Sequence, residues 1–474
     1  LKAADPTRRE EAMRTILAFG PDKAYEALPD IIGELKKHKP PGRVDLSVCI
    51  TGVTTMSTIL AAQKEPDPKL VDDALGVYKT FLKDDQVLLK ARAVQGVLAL
   101  GPKAQDALED VMKVARDGAT WDVRREGLLS LGKIAAQMKT LNPKVPAELH
   151  KAVNDNSLPV RMLGLQTILA LKDKFDAKEI KNTVDKIETR AKKEEDPGLQ
   201  IFAYNTIMTL TGEVKKAHLD PILKLLTHKE PMVRLQALQA IKTLGPKGEA
   251  ALDDVIKIAR KADTWEMRKE GLLAVMALSL DKEKLNPKGL VELTHALSDP
   301  SPELRLHVLE VLATLKPVLD KKDIGALVGT LEKQVSTEKE AIVRVWMNAT
   351  IVTLTGEFTQ ARLDPIMGML KHKEVPVRLQ ALQVLALGGK LAKPIVLNAI
   401  VEAIRDPDVT VSVAAVDALP NLHAIEMLPM LRKIMEDKKS HPDLIEAAED
   451  AVAILEEIIA LEKAQKEKKT PEKK

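Results

Sequence analysis

Pro231-Met-Val-Arg-Leu-Gln-Ala-Leu-Gln-Ala-Ile-Lys-Thr-Leu-Gly-Pro246 carries the reading of the fold. Pro231 suits a first helical turn, where its missing N–H costs nothing. Val233, Ala237, Leu238, Ile241 and Leu244 then recur at helical spacing. Gly245-Pro246 stops the helix and turns the chain. Beyond it, Ala250, Leu252, Val255, Ile256 and Ala259 begin a second helical stripe. Residues 231–261 therefore predict a helix pair, and neither helix alone can hide its apolar face.

The same words return elsewhere. Arg234-Leu-Gln-Ala-Leu-Gln reappears at Arg378, an offset of 144. Trp121 in TWDVRREGLL and Trp265 in TWEMRKEGLL keep that offset, as do Leu141-Asn-Pro-Lys with Leu285 and Thr211-Gly-Glu with Thr355. Within it lies a shorter period of roughly 33 to 41 residues, four units to the longer one, in the range of stacked helical repeats. The expectation is a four-unit block duplicated as a block, in an array of about 13 helix pairs.

Asp299-Pro300-Ser301-Pro302-Glu303-Leu304-Arg305, Asp155 to Arg161 and Asp406-Pro407-Asp408-Val409 give an Asp-Pro, hydrophobic, Arg opening to an Ala/Leu-rich helix. Ser412 stands near where that pattern has Arg. This grammar resembles the HEAT repeat. The resemblance implies an all-α, right-handed α-α superhelix, that is, a HEAT-like solenoid, and a concave face lined by the second helix of each pair. Tetratricopeptide arrays have similar periods but want large aromatics, and this chain has only three Trp, three Tyr and five Phe. No segment shows sustained period-two alternation, so no sheet is expected.

The predicted organisation is one continuous array over 1–463: irregular repeats at 1–83, regular repeats at 84–440 and a capping helix at 441–463. A Lys-rich tail, 464–474, is expected to be disordered. The N-terminal repeats include a basic, Pro-rich connection, Lys36 to Arg43, and a Thr/Ser-rich helix, Leu46 to Leu60. Its hydroxyls are expected to bond back to the preceding turn.

Net charge is +3, from 72 basic and 69 acidic residues, which gives no electrostatic drive toward nucleic acid or an anionic membrane. No apolar run is long enough to predict a transmembrane helix. A single cysteine, Cys49, excludes an internal disulfide and reads as a buried, inert thiol. The chain begins at Leu1, which predicts a processed or partial N-terminus. The default compartment is the cytoplasm; export after loss of an N-terminal signal is the alternative.

The most regular polar feature is a basic ladder: Arg124, Arg161, Arg234, Arg268, Arg305, Arg344 and Arg378, with Lys90 before them and Gln200 in one gap. Each Arg is expected to pair with an acid at a repeat head, such as Asp155 or Asp299, rather than to face a ligand. Trp121 and Trp265, matched by the offset, predict packing. Some DNA glycosylases have a HEAT-like fold with a working Trp and acid, but Trp121-Asp122 and Trp265-Glu266 look like repeat grammar. No two of the nine histidines are four apart and no His-Glu dipeptide occurs, unlike the iron enzyme deoxyhypusine hydroxylase of this fold. No phosphate-binding loop or nucleophile elbow is present.

No cofactor or metal is expected. The predicted function is a non-catalytic scaffold binding a protein or peptide on the concave surface. Lys186, Arg190, Lys224 and Lys257, on the helices that follow the Arg-bearing ones, are the candidate contacts. Nucleic-acid binding through the ladder is the alternative. A HEAT-like lyase or glycosylase is the remote one.

Overall fold

The computed structural model describes residues 1–37, 46–282 and 284–469. Helices dominate throughout, and the chain divides into two compact units, Leu1–Ile241 and Lys242–Lys474.

Helix starts follow the sequence grammar. Asp196 caps the Pro197–Thr211 helix by accepting the Leu199 N–H at 2.7 Å. Thr264 and Ser301 cap the Trp265–Ser279 and Pro302–Thr314 helices in the same way. Helix ends use glycine where the backbone turns left-handed: Gly212 (φ 68°) and Gly356 (φ 71°) close equivalent helices. Gly245 (φ 56°) makes the predicted stop before Pro246. Val233, Ala237, Leu238, Ile241, Leu252, Val255 and Ala259 are buried, as their spacing requires.

The pairing of helices differs from the sequence reading. The most extensively packed pairs are Leu108–Asp117 with Trp121–Gln137 and Leu252–Lys261 with Trp265–Ser279. In both, the Arg-bearing helix packs on the helix before it. A glycine three residues after the ladder Arg allows this approach. A Cβ on Gly127 would sit 2.5 Å from the Ala115 nitrogen, and one on Gly271 would sit 2.7 Å from the Ala259 nitrogen. The helices of the ladder, including Val87–Gly96 with Lys90 and Val409–Asn421 with Ser412 in the Arg place, also pack side by side: Val87–Gly96, Trp121–Gln137 and Leu158–Ala170 in the first unit, and Pro302–Thr314, Ala341–Thr355, Val375–Leu387 and Val409–Asn421 in the second. Each unit thus contains a layer of ladder helices backed by their partners.

Three details depart from expectation. A two-stranded antiparallel pair, Leu280–Asp281 with Lys284–Leu285, follows the Trp265–Ser279 helix where no sheet was predicted. Two residues per strand are too few to show an alternating pattern. The C-terminal helix spans Pro442–Lys469, beyond the predicted limits of the cap, because Gln465, Lys466, Glu467 and Lys468 are good helix formers. Residues 470–474 of the tail lie outside the described residues, as do 38–45 of the Pro-rich connection. Trp121, expected to pack, is 48% exposed at the first position of its helix.

The Thr/Ser-rich helix behaves as read: Thr54, Ser57 and Thr58 donate to the carbonyls of Ile50, Val53 and Thr54. Cys49 is buried. No helix is long and apolar enough to cross a membrane among the described residues.

Candidate partner-binding surface

The ladder residue is the fourth in its helix, which places its side chain over the turn that enters the helix. There the guanidinium works in two directions. Arg161 Nη1 donates to the carbonyls of Asp155 and Asn156, both at 3.0 Å. Its Nε and Nη2 form a fork on Glu194, both at 2.9 Å. Arg305 repeats this with the carbonyls of Asp299 and Pro300 and the carboxylate of Glu338. Arg124 forks onto Asp155, Arg268 onto Asp299, and Arg378 pairs with Asp406.

Each acid stands six residues before the next ladder position, and the carbonyls of Asp155, Asp299, Glu338 and Asp406 accept from the residue there. The result is a relay: Arg124, Asp155, Arg161, Glu194 in the first unit; Arg268, Asp299, Arg305, Glu338, Arg344 in the second. Ser412, standing where Arg is absent, donates to the Asp406 carbonyl at 3.0 Å and keeps the same contact. Gln200 donates instead to the Ala191 carbonyl.

Burial works against the Asp155 and Asp299 carboxylates. The guanidiniums of Arg124 and Arg268 and the N–H groups of Ser157 and Ser301 outweigh it, holding both pKa values below the ordinary carboxylate range. Arg234 and Arg344 keep only the carbonyl half of the pattern, donating to His228 and Lys229 and to Glu338 and Lys339. Among the described residues neither has a carboxylate partner. Arg9, not singled out from sequence, is a further ladder member: it donates to Ala3 and Ala4 carbonyls and pairs with Glu34 at 3.0 Å.

A second set of buried acids escaped the sequence reading. Glu148 and Glu292, 144 apart, are buried and receive Arg116 and Arg260 from the preceding helix of the same layer. Their signal was available: the offset repeats both partners.

The candidate contacts do not gather into one site. Lys186 and Lys224 are exposed on Ala177–Ala191 and Lys216–Leu225 in the first unit. Arg190 is drawn into the relay, 3.2 Å from Glu194. Lys257 belongs to the second unit and pairs with Asp254 at 2.8 Å.

Concave features are of two kinds. Polar clefts lie along the relay: one of about 520 Å³ is lined by Asp155, Arg161, Arg190 and Glu194, and its counterpart of about 360 Å³ by Asp299, Arg305, Gln334 and Glu338. A third, of about 660 Å³, is lined by Met367, His372, Arg378, Glu402 and Asp406. The other kind is a groove of about 660 Å³ in the ladder-helix layer of the second unit, lined by Trp346, Leu382, Ala386, Leu387, Ala414, Asp417 and Ala418 among others. Trp346 is held there by its Nε1, which donates to Gln380 at 2.8 Å. Leu387 is 76% exposed beside it. Among the described residues, no three His, Cys, Asp or Glu side chains gather as a metal site.

Comparison with known proteins agrees with this geometry. Residues 218–248 match the HEAT repeat model. The match begins in Lys216–Leu225 and passes through Pro231–Thr243, so the family's unit has the Arg-bearing helix second, in the phase that the packing shows. Lys186, Arg190, Lys224 and Lys257 therefore sit on first helices, not second ones. No curated protein matches the chain.

Solved structures of karyopherins share its fold. Kap121p bound to the extreme C-terminus of the protein phosphatase Cdc14p gives a TM-score of 0.61 at 13% identity, over 92% of this chain and 50% of that one. Kap121p bound to the SUMO protease Ulp1p gives 0.62 at 14%, over 92% and 50%. Kap95p, in a structure with RanGDP, gives 0.62 at 10%, over 96% and 65%. The chain spans about half the length of the Kap121p chains it matches. With its helix-pair grammar, these structural neighbours and the family match, this chain has an all-α solenoid fold and carries a HEAT repeat at residues 218–248.

Proposed function

We propose that this chain is a non-catalytic scaffold that binds a protein or peptide partner on its layer of Arg-bearing helices. The observation that carries the reading is the groove around Trp346 and Leu387, where the ladder-helix layer of the second unit exposes apolar surface in a concave setting. By the HEAT resemblance, second helices face the partner, and in the phase of the family match those are the Arg-bearing helices. The solved neighbours were captured with protein partners: Cdc14p, Ulp1p, Pho4p and Nup53p on Kap121p, and RanGDP with Kap95p. A rigid repeat surface loses little ordering entropy when it binds an extended partner.

The contacts of the ladder favour a structural role for it over nucleic-acid binding. Its guanidiniums are spent on carboxylates and carbonyls, so they offer few cations to phosphates. Affinity capture with the intact chain, followed by cross-linking of what is retained, tests the scaffold. Saturable protein ligands should cross-link to the ladder-helix layer. Failure to recover any saturable protein or peptide ligand would reject the reading.

A further inference from the structure

The groove is a departure from the repeat, and the departure has a chemistry. At the offset of 144, Ala386 and Ala414 correspond to Lys242 and Glu270, which form an ion pair of 3.6 Å in the second unit. In the later block, two alanines replace that pair. Leu387 stands where the earlier block has Thr243, and Asp417 where it has Leu273. Two charges that would roof the groove are gone, an exposed leucine is gained, and one anion is placed on the wall. Packing in the layer does not call for these changes, since the earlier block packs without them.

The lining includes the small residues Ala386, Gly389, Ala414 and Ala418, which leave room for another chain to come close. Trp346 and Leu387 supply bulk at the sides. Asp417 is faced by Asp450 of the Pro442–Lys469 helix. Partial shielding from water first, and then the Asp450 charge, raise the Asp417 pKa. No cation pairs with either carboxylate among the described residues.

Resting on the scaffold reading, we propose that this groove takes an amphipathic helix of a protein partner, with a bulky apolar side chain seated between Trp346 and Leu387 and a neighbouring lysine or arginine placed on Asp417 and Asp450. The two carboxylates have no counter-charge among the described residues, and an apolar anchor beside a cation meets both features of the groove from one helix face. The charge pair governs choice of partner, while the apolar anchor supplies most of the affinity.

A display library of helical peptides of about 15 residues, long enough to hold a helix, tests this against the full-length chain. Enriched sequences should carry bulky apolar residues at helical spacing next to Lys or Arg. Binding of an enriched peptide, read by fluorescence anisotropy, should weaken at least about tenfold in Ala386→Lys/Ala414→Glu, a change of about 1.4 kcal/mol. That variant installs the ion pair the earlier block already carries, and because Ala386 is buried, its helical circular dichroism and melting temperature are measured beside binding. Asp417→Lys, at an exposed position, should reverse the preference between the Lys peptide and its Glu-substituted twin, and it serves if the double variant misfolds. Equal binding of the two twins to the unaltered chain overturns the proposal, as does enrichment that survives both variants. If captured proteins cross-link to other ladder helices while both groove variants bind them normally, this inference falls and the scaffold stands. If neither proteins nor peptides bind saturably, both fall.

Discussion

Arg305 touches three stretches of chain at once: its own helix, the turn at Asp299 and Pro300, and the carboxylate of Glu338. Both partners of the ion pair are nearly buried, with side chains 11% and 8% exposed. Removing one strands the other charge away from water, which costs about 3–5 kcal/mol. Arg344 makes only the carbonyl contacts, and losing them costs about 1–2 kcal/mol. Urea denaturation should therefore rank Arg305→Ala well below Arg344→Ala; equal losses would show that the carboxylate fork adds nothing. The relay also has a pH signature. Asp299 is held below its ordinary pKa when folded, so its contribution is complete above the unfolded value of about 3.9 and disappears as pH falls through the folded value. Asp299→Asn should be less stable than the unaltered chain at neutral pH, and the gap should close below about pH 4. A gap constant down to pH 2 would place the effect elsewhere. The ladder was legible in the sequence because Arg recurs at one place in each repeat. Its acids were half legible: Asp155 and Asp299 could be named, but Glu194, Glu338 and the carbonyl contacts needed the turn geometry.

The helices themselves were readable from apolar spacing and from Pro and Gly at their ends. Their pairing was not. A periodic string has no marked beginning, so Pro231–Thr243 can be joined in sequence to the helix after it or the one before it. What decides is a close approach. Gly127 and Gly271 lie against the backbones of Ala115 and Ala259 in the preceding helix, and a methyl group there cannot be fitted without moving a helix. Gly271→Ala should destabilise by about 1–3 kcal/mol, although alanine is the better helix former by about 1 kcal/mol. Gly329, in the Lys321–Val335 helix, has open space where its Cβ would be. Gly329→Ala should accordingly stabilise by up to about 1 kcal/mol. Thermal melts of the two variants should move in opposite directions; a gain from Gly271→Ala would mean that its helix pair can separate freely. A glycine three residues after the ladder Arg was the available clue to pairing, and its meaning depended on knowing which helix it faces.

At the scale of the whole chain, repetition was plain from the 144 offset, and repetition is also what hid the groove. Ala386 and Ala414 are unremarked residues until the Lys242–Glu270 pair is seen to form at the equivalent place. The proposed partner groove is thus an exception to the pattern, while the ladder contacts that hold the helices together repeat with it. In a repeat array each helix pair contacts its neighbours alone, so stability is nearly a sum of local terms. This chain is further divided into Leu1–Ile241 and Lys242–Lys474, each with its own buried apolar residues. Arg124 and Arg268 occupy equivalent places, one in each unit, with the same forked partner and the same carbonyl contact. Losing either should open the structure locally. Hydrogen exchange on Arg124→Ala should show faster amides in Trp121–Gln137 and Leu158–Ala170, with the Lys242–Lys474 unit unchanged. Arg268→Ala should give the mirror result, with faster amides in Trp265–Ser279 and Pro302–Thr314 and the Leu1–Ile241 unit unchanged. Uniform acceleration over all helices from either variant would mean that the chain unfolds as one cooperative body, and that the relay secures the whole rather than its neighbourhood.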